Sequence, residues 1–220
     1  MPMDRADPAY KGQADYSRLV LRLYDPLVVG LAAKHVWRCP PQPIVDNYRR
    51  HIRPNHLDVG PGTGYFLEIA GLPHGAPVTI LDPNPDVLRH SASRLRDLDV
   101  TPVEADVLKP LPVPGPFNSA ALNLVLHCLP GPMARKAPAI ANVAAVLAPD
   151  GVLFGSTVLG EGPRHTRAAR WMLAAYNRRG AFDNLGDTEA GVRTILDAAF
   201  EQVEVDVVGS VAVFVARGPR

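Results

Sequence analysis

The stretch His56-Leu57-Asp58-Val59-Gly60-Pro61-Gly62-Thr63-Gly64 decides how the rest of the chain is interpreted. Its first four residues predict a strand, and the glycines that follow have the spacing G-x-G-x-G before a predicted helix. Glycines at such a junction let the backbone turn sharply and let a ligand approach the main chain. Because loops of this kind line the crevice of α/β sheets, the stretch predicts a ligand-binding loop, with a purely structural turn as the alternative.

The spacing of the glycines argues against a dinucleotide ligand. The fingerprint G-x-G-x-x-G would require glycine at position 65, where the chain has Tyr65. Asp58, at the end of the strand, would repel a pyrophosphate placed beside it. An acid at this position instead suits a ligand that presents an ammonium group and a sulfonium.

Two further acids follow predicted strands. Asp82 comes roughly 20 residues after the first glycine, where a carboxylate accepts the hydroxyls of a ribose. A turn or capping role for Asp82 is the alternative, but Asn84 already supplies the N-cap of a helix that begins at Pro85. Asp106 follows the third predicted strand, where it can accept the amine of an adenine while Val107 packs on the ring.

The order of the elements predicts an α/β fold. From His56 onward, apolar runs alternate with helical stretches, which is typical of parallel βαβ units in a Rossmann-like, doubly wound sheet. The last strand, Val211 to Ala216, is nearly all apolar, whereas Gln202 to Val207 alternates with acids. We therefore expect a C-terminal antiparallel hairpin, with the last strand inserted and the penultimate one at the edge of a seven-stranded sheet. The predicted strands are 56–59, 77–81, 100–105, 119–126, 152–158, 202–207 and 211–216, and the predicted helices are 63–70, 85–98, 132–147, 164–179 and 188–200.

The first part of the chain has a different pattern. Apolar residues recur near helical spacing from Tyr16 to Tyr24 and from Leu27 to Trp37, and Pro43 to His51 suggests a third helix. We interpret residues 1–51 as a short N-terminal helical cap and residues 52–220 as one Rossmann-like ligand-binding domain.

Composition and charge exclude several classes of protein. The 220 residues carry 23 basic and 22 acidic side chains, so the net charge of +1 gives no footprint for a nucleic acid and no polybasic membrane anchor. Met1 to Tyr16 is too polar for a signal peptide, and Leu19 to Ala33 is too short to span a bilayer. We expect a cytoplasmic protein with neither a nucleic-acid nor a membrane partner and no metal site. The oligomeric state stays open.

Taken together, these residues resemble the class I S-adenosylmethionine-dependent methyltransferases from roughly Asn55 to Val158. Asn123 to Pro130 resembles the segment at the family's fourth strand, with His-Cys where many members have two histidines, and Leu147 to Leu153 resembles the turn into strand five. The resemblance implies S-adenosylmethionine as cofactor, S-adenosylhomocysteine as product and in-line displacement at the methyl group. The candidate cofactor contacts are Asp58, Gly60, Pro61, Gly62, Thr63, Gly64, Asp82, Asn84, Asp106, Val107 and Asn123.

The candidates on the acceptor side are one histidine and several aromatic residues. His127 follows the fourth strand, where its ordinary pKa would suit a general base, but packing against the cofactor or the cap is an equal alternative. The aromatic residues can wall an acceptor pocket, although aromatic residues at helical spacing usually pack in the core. These substrate-binding candidates are Tyr16, Tyr24, Trp37, Trp171 and Tyr176.

The resemblance leaves three functions to compare. Neutral charge, a short cap and no appended domain favour methyl transfer to a small molecule. An RNA or protein methyltransferase would need a basic face or a recognition module. A cofactor-binding protein or a cyclase without methyl transfer would keep the same glycines and acids, because fold does not dictate function. The sequence does not indicate the acceptor or whether oxygen, nitrogen, carbon or sulfur is methylated.

Overall fold

The computed structural model describes residues 34–220, which contain seven strands and six α-helices. The predicted helix from Tyr16 to Tyr24, most of the one from Leu27 to Trp37, and the candidates Tyr16 and Tyr24 lie outside the described residues. No helix within 34–220 is long and apolar enough to cross a membrane. The helices are α1 (Gln42–His51), α2 (Tyr65–Glu68), α3 (Pro85–Arg94), α4 (Met133–Ala144), α5 (Arg167–Arg179) and α6 (Glu189–Asp197). The strands are β1 (His56–Val59), β2 (Pro77–Asp82), β3 (Asp99–Glu104), β4 (Phe117–Asn123), β5 (Leu147–Val158), β6 (Phe200–Val208) and β7 (Val211–Pro219).

All seven strands form one sheet in the order β3-β2-β1-β4-β5-β7-β6. Strands β1 to β5 are parallel, while β7 runs antiparallel to both β5 and β6. Strand β7 is buried over Val211 to Ala216, and the edge strand β6 exposes its acidic residues. The predicted α/β fold, the inserted last strand and the edge position of the penultimate strand are therefore confirmed.

Helices cover the sheet on both faces. Apolar residues of α1, α2 and α3 pack with Val78, Ile80 and Phe154 on one face. Helix α5 joins the same face farther along, where Leu173 packs near Val158. Helices α4 and α6 pack on the opposite face. The two buried layers hold the sheet rigid, so the carboxyl ends of β1, β2 and β4 form a fixed edge for a site.

Some element boundaries differ from the predicted ones. The helix predicted over residues 63–70 is only Tyr65–Glu68, because the backbone of Gly64, in the left-handed region with φ of 78°, delays its start. Strand β4 ends at Asn123 instead of residue 126, since Leu124 turns the chain with φ of 57° and a short 3-10 helix follows over Leu126–Cys128.

The largest boundary difference lies between α4 and β5. The sequence predicted a helix that Pro149-Asp150-Gly151 ends, but α4 stops at Ala144 and β5 already begins at Leu147. Leu147 pairs with Phe117 and Val152 pairs with Ser119, so more residues of β5 than of β4 lie between these pairs. The proline and glycine are accommodated in this irregularity of the ladder, as expected for a bulge.

Candidate active site

A pocket opens at the carboxyl ends of β1, β2 and β4, at the edge where parallel sheets of this type bind ligands. All the predicted cofactor contacts except Asp58 and Gly64 line it. The pocket-lining residues are Tyr48, Val59, Gly60, Pro61, Gly62, Thr63, Tyr65, Phe66, Leu81, Asp82, Pro83, Asn84, Val87, Asp106, Val107, Asn123, Leu124, Val125, Cys128 and Leu129.

Two glycines shape the floor of the pocket. Gly60 has φ of 67°, and a Cβ atom there would lie 2.5 Å from Cγ2 of Val125. Gly62 has φ of 57° with no atom within 4 Å of the Cβ position, so the backbone at this point borders open space. Both residues need the left-handed conformation, and neither places a side chain between a ligand and the main chain. Gly64 lies outside the pocket, against Leu95 at the end of α3.

Asp82 lies at the end of β2 and lines the pocket. Its Oδ1 accepts the N–H of Asn84 at 2.7 Å, whereas Oδ2 contacts no donor among residues 34–220. Desolvation raises the pKa of Asp82 to about 7, and the hydrogen bond from Asn84 opposes this rise. A carboxylate with an unused oxygen at a pocket wall can accept hydroxyl groups of a ligand.

Asn84, Asp106 and Val107 line the same part of the pocket. Asn84 caps α3 as predicted, because its side-chain oxygen accepts the N–H of Asp86 at 2.9 Å. Asp106 Oδ1 accepts the N–H of Leu108 at 3.0 Å, which fixes the carboxylate after β3. Because β3 and β2 are neighbours in the sheet, these residues lie side by side along one wall.

Tyr48 of α1 is a pocket residue that the sequence did not reveal. Its hydroxyl donates a hydrogen bond to Asp58 Oδ2 at 2.6 Å, and its ring packs edge-on against Phe154. Asp58 is 1% exposed and does not line the pocket, so Tyr48 stands between this carboxylate and the cavity. The buried His56 also lies near Asp58, with its Nε2 3.8 Å from Asp58 Oδ2. The only signal in the sequence is a tyrosine among the buried positions of an amphipathic helix.

Asn123 and Leu124 form the wall at the end of β4. Asn123 Oδ1 accepts the hydroxyl of Ser156 at 2.9 Å. Its buried Nδ2 lies near Tyr48 and lowers the pKa of that hydroxyl, but no acceptor among the described residues meets hydrogen-bond geometry with Nδ2. Leu124 has a positive φ, which is rare for a residue with a side chain and often marks a functional site.

His127 is buried on the α5 side of the sheet edge, next to the pocket residue Cys128. Its Nδ1 accepts the N–H of Val158 at 3.2 Å, so in the neutral ring the proton resides on Nε2. Burial and, to a lesser extent, the Lys136 cation lower the pKa of His127 to about 3. The structure therefore argues against the general base, because the ring binds a proton weakly and its one lone pair is occupied, and the ring packs on Phe182 instead of lining the cofactor pocket.

The described aromatic candidates divide into two groups. Trp37 and Tyr176 both pack against Phe182, with ring centroids 6.4 and 4.9 Å away, and His127 packs edge-on against the same ring at 4.3 Å. Trp171 does not join this group, because it is 71% exposed on the outer face of α5. Phe182 was missed because its loop contains no pattern that predicts where it folds.

Known proteins match the chain over this region. A family model described as a methyltransferase domain matches residues 57–153. The demethylluteothin O-methyltransferase of Streptomyces thioluteus is 37% identical over 205 residues, which cover 92% of this chain and 89% of that protein. This chain belongs to the S-adenosylmethionine-dependent methyltransferases. The physcion biosynthesis cluster O-methyltransferase of Aspergillus chevalieri is 36% identical to this methyltransferase and covers 99% of it, with 100% of its own length matched.

A solved methyltransferase has the same fold. The N-methyltransferase NodS of Bradyrhizobium japonicum, crystallised with S-adenosylhomocysteine, superposes with a TM-score of 0.64 at 18% identity. The superposition covers 97% of this methyltransferase and 100% of that chain. The polar groups of the described pocket fit the cofactor. Gly62 leaves its backbone open, Asp82 has an unused carboxylate oxygen, and the buried Asn123 amide has no acceptor among the described residues.

Proposed function

We propose that this methyltransferase methylates a hydroxyl group of a small natural product. The observation that carries the proposal is the pocket at the carboxyl ends of β1, β2 and β4, which combines the glycine backbone with Asp82 and Asp106. Two relatives that match most of the chain are named as O-methyltransferases of natural products, demethylluteothin and a compound of the physcion cluster. A relative from Penicillium aethiopicum, 36% identical over 190 residues, is named as an N-methyltransferase, so an amine acceptor is the second candidate.

In this proposal, the pocket residues bind the ribose, the adenine and the amino-acid end of the cofactor. Asp82 accepts the ribose hydroxyls, Asp106 accepts the adenine amine, and Val107 packs on the adenine ring. Asn84 fixes Asp82 through its N–H, and the backbone at Gly62 lies against the amino-acid end of the cofactor. The bound cofactor supplies an electrophilic methyl group on its sulfonium. The protein then aligns the acceptor and excludes water, and such positioning alone accounts for several kcal/mol.

The acceptor is proposed to bind beyond Cys128, toward the Phe182 ring. Burial raises the pKa of the Cys128 thiol to about 12, so this residue borders the site as a small neutral group. The rings of His127, Tyr176 and Trp37 pack against Phe182, and together these residues form the proposed acceptor wall. In this proposal His127 positions the wall and does not accept a proton. Trp171 has no part in the wall. The cap over residues 1–51, the cytoplasmic location and the absence of nucleic-acid partners stay predictions.

A methyl-transfer assay tests this function. The purified protein is incubated with S-adenosylmethionine and matched panels of phenols, enols and amines, and S-adenosylhomocysteine is quantified. Turnover with hydroxyl compounds supports the proposal, turnover only with amines selects the second candidate, and no turnover with either panel contradicts both. The variant Phe182→Ala is then expected to raise KM for the acceptor while it leaves cofactor affinity within about twofold of wild type, since Phe182 does not line the cofactor pocket.

A further inference from the structure

Asp58 lies near the end of β1, but Tyr48 separates its carboxylate from the pocket. Asp58 is almost fully buried and does not reach the pocket, whereas Tyr48 both lines the pocket and donates its hydroxyl proton to Asp58 Oδ2 at 2.6 Å. The Tyr48 ring is held between Phe66, stacked at a centroid distance of 5.8 Å, and Phe154, edge-on at 5.0 Å. The hydroxyl therefore has a fixed position at the pocket wall.

The direction of this hydrogen bond determines what Tyr48 offers to a ligand. Burial, together with the adjacent Asp58 carboxylate, raises the pKa of Tyr48 well above its ordinary value, so the phenol keeps its proton. That proton points at Asp58, and the lone pairs of the oxygen are left as acceptors, with the Asn123 amide near the oxygen but outside hydrogen-bond geometry. A hydrogen bond donated to a carboxylate also strengthens the phenol oxygen as an acceptor, because bonds in such a chain polarise one another.

The location of Tyr48 in the sheet indicates which part of the cofactor it faces. The edge of the sheet runs β3-β2-β1-β4, with Asp106 after β3, Asp82 at β2, and Tyr48 over β1 and β4. If the adenine and ribose lie at β3 and β2, the amino-acid end lies at β1 and β4. The acidic side chains among the pocket-lining residues are Asp82 and Asp106, at the other end. Among residues 34–220, no pocket-lining carboxylate therefore lies at the end where the ammonium group of the cofactor is placed.

We infer that Tyr48 Oη, with its proton held by Asp58, accepts a hydrogen bond from the ammonium group of the cofactor's amino-acid end. Asp58 is then a positioning residue that acts through Tyr48, and it is not a direct ligand. This inference rests on the proposed placement of the cofactor. It changes the expectation drawn from the sequence, in which Asp58 itself was a candidate cofactor contact.

The test compares two ligands by calorimetry: S-adenosylhomocysteine and the same molecule with its amino group replaced by hydrogen. Wild type is expected to prefer the amine by roughly tenfold or more, as for a charge-assisted hydrogen bond. Tyr48→Phe keeps the ring and removes the oxygen, so the preference should fall to near one. Asp58→Asn still accepts the Tyr48 proton but has no charge, so its preference should fall to an intermediate value.

The other outcomes separate the alternatives. A Tyr48→Phe protein that keeps the wild-type preference, or that loses affinity for both ligands equally, overturns the inference. Loss of the preference in Asp58→Asn but not in Tyr48→Phe makes Asp58 the direct ligand and also overturns it. If Tyr48→Phe does not fold, as judged by circular dichroism, an unchanged preference in Asp58→Asn overturns it. Wild type that binds neither ligand contradicts the proposed cofactor placement instead.

Discussion

At the scale of single residues, the pocket-lining Asp82 carries a cost in stability. Desolvation holds its pKa at about 7, above the ordinary value of 3.8, so the folded protein binds this proton more tightly than the unfolded chain does. The stability that this proton contributes is fully present below pH 3.8 and is lost as the pH rises through 7. Above that pH the charged group is partly buried, and no cation of residues 34–220 forms an ion pair with it.

The variant Asp82→Asn should therefore become relatively more stable as the pH rises. Its Oδ1 can still accept the N–H of Asn84, but the desolvated charge is gone. We expect the Tm difference, variant minus wild type, to increase by about 4–8 °C between pH 5 and pH 8, as about 2 kcal/mol does in a domain of this size. Differential scanning fluorimetry without ligand measures it. A difference that is constant or decreases with pH would show that Asp82 is not desolvated.

His127 gives a second prediction at this scale. Its Nδ1 accepts a backbone N–H in a buried site, and burial lowers its pKa to about 3. Nitrogen-15 NMR should therefore show a neutral ring with the proton on Nε2 throughout pH 5–8. A titration midpoint near 6.5 would restore the general-base interpretation, because only a ring that exchanges its proton in this range can serve as one at neutral pH.

At the scale of elements, the C-terminal hairpin of β6 and β7 forms the end of the sheet beyond β5. Strand β7 pairs with β5 on one side and β6 on the other, while within residues 34–220 β6 pairs with β7 alone. Every β7 amide in the ladder therefore has a partner, whereas alternate β6 amides face the edge. Acidic side chains along β6 disfavour pairing with another chain at that edge.

Hydrogen exchange measured by NMR should reflect this difference. We expect amides from Ala212 to Val215 to exchange at least about tenfold more slowly than the alternate, outward-facing amides of β6. Protection that is continuous along β6 and equal to that of β7 would contradict an exposed edge, and would mean that another chain covers it.

Much of this fold could be predicted because its signals are local. The glycine spacing at 60–64, the acid after β2 and the apolar last strand each lie within a few residues of sequence, and the structure has a glycine loop, a pocket-lining Asp82 and an inserted β7 at these places. The start of β5 was not predicted, because Leu147 to Gly151 contains helix-ending residues that only pairing with β4 brings into the ladder.

The less predictable parts of the site depend on contacts between distant segments. Tyr48 reaches Asp58 only because α1 packs on the sheet over β1 and the middle of β5, and no local pattern pairs these two residues. Phe182, in a loop that follows α5, meets His127 although the two are 55 positions apart in the sequence. Burial and tautomer are also tertiary properties, so the sequence left both roles of His127 open.

At the scale of the whole molecule, one continuous edge of the sheet presents the site. The loops after β1, β2, β3 and β4 all contribute to the pocket, so a ligand that lies along it contacts the loops after four adjacent strands at once. The helices on both faces fix these strands, and the hairpin of β6 and β7 completes the sheet on the side away from β3. The fold thus presents a preformed pocket, and in the proposed function an extended cofactor lies along it while the acceptor approaches from the α5 side.

Calorimetric titration of S-adenosylhomocysteine into wild type and Asp82→Ala tests the central claim most directly. We predict saturable binding at one site per chain in wild type. In Asp82→Ala, the affinity should be weaker by roughly 30- to 150-fold, the effect of about 2–3 kcal/mol of lost hydrogen bonding. The absence of saturable binding to folded wild type, or equal affinity in the two proteins, would contradict the account.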